Sequence, residues 1–462
     1  MTEEILITHL EKINDNDPGE RKAAIEELMF EDLDEKTLKV ISEKIVDNDR
    51  GVRNAASALL ISNENSAVPG FITPFIASSD IAARNLAGEI LIQYGSTAVP
   101  SLLEFLPNGN DDDKKFVIDV LGLIGDEKAG EDILKEIDKT ENENVLLACQ
   151  EALGNIKYLP AVKKLLEQYP LNELYKPTII ESLGKIGSQE ALDFMISIFN
   201  DEDDLTRFSL IESLGLIGDE KTFFFLLSQL NTASGPILYP IVTALNELKN
   251  KFGFDIPFDE TMKNALLETV LDADDQYKEA AIHLASAFND KDLLLACLKI
   301  YGKNLELDEI VKPKFMENPK IILKNISSYL KSNAANLNAL LELLQELLQF
   351  EGDQIGDMLS ILELRNLTDA LTDGIEHPDE EVRRAAFEIL YKLNIEMAVL
   401  FIDKVVEDDN MWNRLKLLEL VVENNSDEVN EALNKLAEDA DEFVSERAKE
   451  ILTQRNNPNI TN

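Results

Sequence analysis

The chain has 462 residues, 45% of them hydrophobic and only 6% aromatic, and its 88 acidic residues outnumber 44 basic ones for a formal net charge of -44. That content of apolar residues excludes disorder as a description of the whole chain, and the charge opposes a nucleic-acid backbone or an anionic membrane as main partner. No window approaches the roughly eighteen consecutive apolar residues of a membrane span, and the start, Met1–Leu6, has no basic region leading into an apolar run.

From residue 15 onward one unit recurs. A basic residue stands at Arg21, Arg53, Arg84, Lys114, Lys176 and Arg207, with Leu146 in the remaining slot, at steps of 30 to 32 residues. The same position returns at Lys278, Arg383, Arg414 and Arg447. Four residues before every slot but the last stands a short polar side chain: Asp17, Asp49, Asp80, Asn110, Asn142, Asn172, Asp203, Asp274, Asp379 and Asn410. Such residues cap helix N-termini by accepting a backbone N–H bond. Eleven residues after the slot come Gly95, Gly125, Gly187, Gly218, Asn289, Asn394 and Asn425, the two residue types that tolerate the left-handed backbone at a helix end.

Between start and stop, apolar residues lie three and seven places past the slot, as at Ala24 and Leu28 or Leu210 and Leu214, which makes one helical face. A second apolar helix follows, for example over Ala129–Ile137, Ala161–Leu166, Ala191–Phe199 and Ala398–Val406. Two antiparallel helices in about 31 residues cannot bury both faces alone, but stacked pairs can. The expectation is an all-α chain, a right-handed α-solenoid of about eleven or twelve helix pairs. Cys149 and Cys297, far apart inside the apolar pattern, read as buried thiols in a reducing, cytoplasmic setting.

The spacing fails twice. From Arg207 to Lys278 it widens to 71 residues, with an insertion near Phe252–Phe258, and from Lys278 to Arg383 it widens to 105. The chain is therefore divided into a repeat array over 1–303, an irregular helical segment over 304–376, and further repeats with a cap over 377–462. The middle segment reads as an oversized repeat pair, a hinge or a dimerisation element, with helices over Pro319–Ser332, Leu337–Phe350 and Met358–Asp373.

The pattern resembles HEAT repeats, in the short prokaryotic form seen in phycobilisome-lyase-like proteins. Glu381-Val-Arg-Arg-Ala-Ala-Phe-Glu-Ile-Leu390 and Asp49-Arg-Gly-Val-Arg-Asn-Ala-Ala56 carry the resemblance most closely, and it extends over about 15–303 and 377–455. The resemblance implies a structural ladder in which Asp49, Arg53, Asp80, Arg84, Asp203, Arg207, Asp379 and Arg383 bond between neighbouring repeats, with the capped helices on the concave side.

Five places past the slot lie Glu26, Glu89, Asp119, Glu151, Glu181, Glu212, Glu388 and Glu419. At about 100° per residue this position points away from the apolar face, so an acidic row runs along the capped helices. If those helices line a groove, the row steers a basic segment of another protein into it. Acidic turns precede several capped helices, at Asp111–Asp113, Asp201–Asp204, Asp272–Asp275, Glu407–Asp409 and Glu438–Glu442, where the helix dipole favours carboxylates. Lys312, Lys314, Lys320, Lys324 and Lys331 form the one locally basic stretch, read as pairing with acidic neighbours.

Enzymatic patterns are lacking. His9, His283 and His377 are scattered, none is followed by Glu, and no Gly-rich phosphate loop or nucleophile motif is present. The reading is a non-catalytic scaffold or adaptor without metal or cofactor, binding a basic protein segment. The alternative is a bilin-lyase or isomerase-like enzyme, or an accessory to one, that uses the repeat groove as a clamp.

Overall fold

The computed structural model describes residues 9–332, 336–352 and 358–456, and among these there is no strand. The chain is an all-α solenoid whose helices pack in sequence, each capped helix against the next helix and against the next capped one. Among the described residues thirteen helix pairs precede a last capped helix, Glu442–Asn456. Residues 304–376 hold two of these pairs, Leu305–Glu317 with Pro319–Ser332 and Leu337–Glu351 with Ile361–Ile375, which is why the count passes the dozen expected. The segment expected as a helix over Met358–Asp373 begins at Ile361; residues 353–357 lie outside the described ones.

By packing, the chain divides into two compact units: Met1–Gln229 with Glu247–Phe254, and Leu230–Asn246 with Asp255–Asn462. In the first, the capped helices Arg50–Asn63, Ile81–Tyr94, Asp111–Ile124, Glu143–Ile156, Lys176–Ile186 and Asp204–Ile217 follow one another. Their N-termini behave as the short polar column requires. Asp49 accepts from the N–H of Val52 at 3.1 Å, Asp80 from Ala82 at 2.9 Å and Asp203 from Thr206 at 2.8 Å. In the second unit Asp379 accepts from Glu381 at 2.8 Å, whereas Asp274 makes no side-chain cap bond. Each such cap is worth about 1 kcal/mol. The apolar columns form the core: Ala24, Ala56, Val117, Cys149, Ile179 and Leu210 are buried, as are Leu28, Leu60, Leu121 and Leu214. Both thiols are free and buried, and burial pushes Cys297 up to about 12 and Cys149 in the same direction.

Helix ends depart from the expected stop residues. Gly125 and Gly187 are left-handed (φ 73° and 74°), as the column predicts. Glu64 and Lys157 are left-handed too (φ 56° and 59°), in two repeats that have neither Gly nor Asn at that place. Gly218 is not left-handed (φ -57°). It is required there because a Cβ would come 2.3 Å from the carbonyl oxygen of Leu214. Asn394 does not use that conformation either; it caps the following helix, accepting from the N–H of Met397 at 3.1 Å.

The widened spacing over 304–376 has a local cause. Asn304 caps Leu305–Glu317 as the column demands, but four residues on stands Asp308 instead of a base. Its buried carboxylate accepts two bonds from the N–H of Gly302, at 2.8 and 2.9 Å, across a turn with φ 84°. Burial raises the Asp308 pKa against the effect of that N–H. In the next repeat Asn336 is buried and its amide donates to the carbonyl of Tyr301 in place of capping its own helix. The repeat persists while the chemistry of its slot residues is inverted.

Candidate interaction surfaces

In the first unit, glycine lies eight places past the slot in four consecutive repeats: Gly122, Gly154, Gly184 and Gly215. A Cβ on Gly122 would lie 2.9 Å from the Cα of Ala152, and one on Gly154 2.6 Å from the Cα of Ser182. On Gly184 it would lie 2.7 Å from Oγ of Ser213. The capped helices thus meet backbone to backbone, and Ser182 Oγ donates to the carbonyl of Gln150 at 2.9 Å across one such seam. The second helices Gly130–Ile137 and Val162–Gln168 touch each other far less. Closer spacing on one side curves this part of the stack toward the capped helices.

The acidic row stands on that side. Glu26, Glu89, Glu151, Glu181, Glu212 and Glu419 are exposed, Asp119 and Glu388 half-buried. Lysines on the same helix accompany several: Lys22 with Glu26 (3.4 Å), Lys115 with Asp119 (2.6 Å), Lys185 with Glu181 (2.5 Å) and Lys416 with Glu419 (2.9 Å). Glu388 accepts from Lys392 at 2.8 Å and from Gln345 at 3.0 Å. Among the described residues, Glu89, Glu151 and Glu212 have no cation within ion-pair distance. A cleft of about 240 Å³ between two capped helices is lined by Asp119, Glu151, Lys115, Asn155 and Gly122.

Glu212 is exposed, with its carboxyl partly shielded from water. Burial first, then the charges of Glu181 and Glu247, raise its pKa. Glu247 is raised by burial as well. The first unit therefore holds a run of carboxylates with more negative charge than its own cations neutralise. Glu247 was missed by sequence reasoning because it falls in the widened interval between Arg207 and Lys278, where the column has no slot residue.

The ladder is of two kinds. Arg21 grips Asp47 with two bonds, Nε to Oδ2 at 2.9 Å and Nη2 to Oδ1 at 2.7 Å. Arg383 grips Asp408 in the same way, at 2.7 and 2.9 Å, and Arg414 Nη2 reaches Asp439 at 3.0 Å. Arg84 pairs with Asp112 and lies over the ring of Phe116 at 4.8 Å. Each of these acceptors belongs to the next repeat. Burial acts to raise Asp47 and Asp408, but the guanidinium bonds together with the backbone N–H of Asp49 on Asp47, and with Asn413 and the N–H of Asn410 on Asp408, outweigh it and hold both carboxyls below the usual range. By contrast Arg53 Nη1 donates to the carbonyls of Asp47 and Asn48, at 2.8 and 3.2 Å, in the turn before its own helix. Arg207 likewise donates to the carbonyls of Phe199 and Asn200, at 3.1 and 3.0 Å, and to Asp204 at 3.3 Å. Asp49, Asp80 and Asp203 serve as caps, Asp379 both caps its helix and accepts from the amide of Asn338 in the preceding repeat at 3.4 Å, and the acceptors of the inter-repeat arginines are other residues of the turns. Two residues before the cap was the signal to find Asp47, Asp408 and Asp439. The lysine stretch pairs internally, Lys312 with Glu346 at 2.6 Å and Lys324 with Glu363 at 3.2 Å.

A different surface occupies the last repeats of the second unit. Trp412 and Phe443 are 61% and 71% exposed, one repeat apart and each two residues past a cap. They face a cleft of about 550 Å³ that also includes Arg384, Lys416 and Arg447. No described helix is long and apolar enough to cross a membrane.

Residues 172–246 match the family described as HEAT repeats, a window that includes Asn172, Lys176, Glu181, Asp203, Arg207 and Glu212. The chain is similar to a crystal structure of importin beta, at 12% identity and a TM-score of 0.47, covering 97% of this chain and 77% of that one. It is also similar to Kap121p bound to Nup53p, at 11% identity and a TM-score of 0.46, covering 98% of this chain but 66% of that one. The sequence has no match among curated proteins.

Proposed function

We propose that the chain is a non-catalytic scaffold that binds a basic segment of another protein along the acidic face of its first unit, from Asp119 through Glu151 and Glu181 to Glu212 and Glu247. The observation that carries this reading is the placement of Glu89, Glu151 and Glu212, exposed on alternate capped helices with no cation within ion-pair distance among the described residues, and of Glu151 with Asp119 on one cleft; the raised pKa of Glu212 agrees with it. Like charges kept that close are a standing electrostatic cost, and a cationic guest relieves it. Lysines attend Glu26, Glu388 and Glu419, as they do Asp119 and Glu181, so the uncompensated charge of the row is that of Glu89, Glu151 and Glu212. Residues 304–376 serve in this reading as two repeats lengthening the second unit, in preference to a hinge or a dimerisation element. The closer likeness, to the short prokaryotic repeats of phycobilisome-lyase-like proteins, rests on Asp49–Ala56 and Glu381–Leu390 alone, and no residue favours the lyase reading over the scaffold.

The test uses a fluorescent eight-residue peptide of alternating Lys and Ala, followed by anisotropy at low salt. Charge reversal at Glu151, Glu181 and Glu212 to Lys should weaken binding roughly a hundredfold while leaving the helical circular dichroism unchanged. Equal binding by the parent and the reversed variant would overturn the proposal.

A further inference from the structure

The second unit carries a surface of the opposite character, and its geometry does not depend on the acidic face. Trp412, Phe443, Met411 and Leu415 form an apolar wall along the first turns of the capped helices Met411–Leu420 and Glu442–Asn456. Among the described residues neither exposed ring stacks on another aromatic ring or receives a cation. Exposed aromatics that keep their apolar faces in water are the side chains most often used as anchors at interfaces.

The charges on the rim select the guest. Arg384, Lys416 and Arg447 line the cleft against a single carboxylate, Glu419, in a chain whose acids outnumber its bases two to one. Arg384 is held only loosely, 3.8 Å from Glu381, and Arg447 has Glu450 at 2.9 Å on its own helix, away from the cleft. A cationic guest would meet three cations here. An acidic one would meet two guanidinium groups able to take carboxylates in paired bonds.

We infer that this cleft is a docking site for a short peptide segment with an aromatic or aliphatic anchor flanked by carboxylates, the anchor lying against Trp412 and Phe443 and the carboxylates on Arg384 and Arg447. The protein would then hold two partners, or two parts of one partner, by surfaces of opposite charge.

Trp412 is the only tryptophan in the chain, so its emission reports on this cleft without a label. The probe is an acetylated, amidated peptide with a central Phe-Leu pair between three aspartates on each side. The control replaces every aspartate by lysine. A saturable blue shift with the acidic peptide is expected, and none with the lysine peptide. Arg447→Glu, at a half-exposed residue, and Phe443→Ala should each raise the dissociation constant roughly tenfold, with helicity intact. Three results would overturn the proposal: no saturable shift with the acidic peptide, an equal shift with the lysine peptide, or a shift indifferent to Arg447→Glu. A blue shift that grows with protein concentration alone and is unaffected by the acidic peptide would also overturn it, assigning the cleft to a second copy of the chain.

Discussion

The capped helices of the two units carry the same columns but space themselves differently. In the last four repeats of the first unit the place eight past the slot is Gly122, Gly154, Gly184 and Gly215; in its first three it is Met29, Ile61 and Ile92, and in the second unit it is Ser286, Tyr391 and Val422. Glycine brings the helices to backbone distance, leaves a cleft of about 240 Å³ and crowds carboxylates that stand on adjacent helices. Larger residues go with a cleft of about 550 Å³, wide enough for two aromatic rings and long basic side chains. One repeat pattern thus carries two different surfaces, and the glycine run marks the part of the first unit that holds the acidic cleft.

The sharpest way to break that comparison is at a glycine seam. Gly154→Val should be the most damaging change, because the new side chain meets the backbone of Ser182 and no rotamer of Ser182 relieves it. Overpacking of this kind costs about 3 kcal/mol or more, read as a drop in melting temperature, and it should also open the acidic face and lower the pKa of Glu212. An unchanged melting temperature would show that the seam is not what holds these helices together.

Next in size is the ladder. Arg383→Ala leaves the buried Asp408 without its two guanidinium bonds and should cost about 2 kcal/mol, whereas Arg207→Ala, which loses bonds to carbonyls at the surface, should cost clearly less. The sign with pH follows from the depressed carboxyl. The contribution of Arg383–Asp408 is present above the unfolded carboxyl pKa and is lost as pH falls through the lower folded value. Acid denaturation of Arg383→Ala should therefore show a shallower loss than the parent.

Glu212 and Glu247 have the opposite sign. Their folded pKa values are raised, so their unfavourable contribution is absent below the unfolded carboxyl range and appears as pH rises through the folded values. A basic peptide binds the ionised form, so its affinity should rise over that same interval and binding there should release protons, measurable by calorimetry in two buffers of different ionisation enthalpy. Glu212→Gln should flatten both. The smallest effect on stability is expected at the other surface: Trp412→Ala should change stability by no more than about 0.5 kcal/mol, since its ring is mostly in water.

The solenoid was legible because caps and apolar columns act within a few residues of one another. Asp49, Asp80, Asp203 and Asp379 declare helix starts, and Leu28, Leu60 and Leu214 declare the buried face. The bonds between repeats were less legible, since Arg21 reaches Asp47 and Arg383 reaches Asp408 across 26 and 25 residues, and nothing local marks an acid of the turn as acceptor rather than cap. Helix ends at Glu64 and Lys157 gave no sign because neither residue type favours the left-handed backbone that each adopts. The aromatic cleft was invisible for a different reason. Arg384, Trp412, Phe443 and Arg447 come from three helices and share no single column.

Asp308 bears on how such a chain changes over generations. Restoring the arginine found at the equivalent place elsewhere would turn two accepted backbone bonds into a cation facing a donor, beside a turn that Gly302 holds at positive φ. Restoring the turn first would leave a buried carboxylate with nothing to accept. Neither single change is expected to be neutral: Asp308→Arg and Gly302→Ala should each lower the melting temperature, and together by less than the sum of the two.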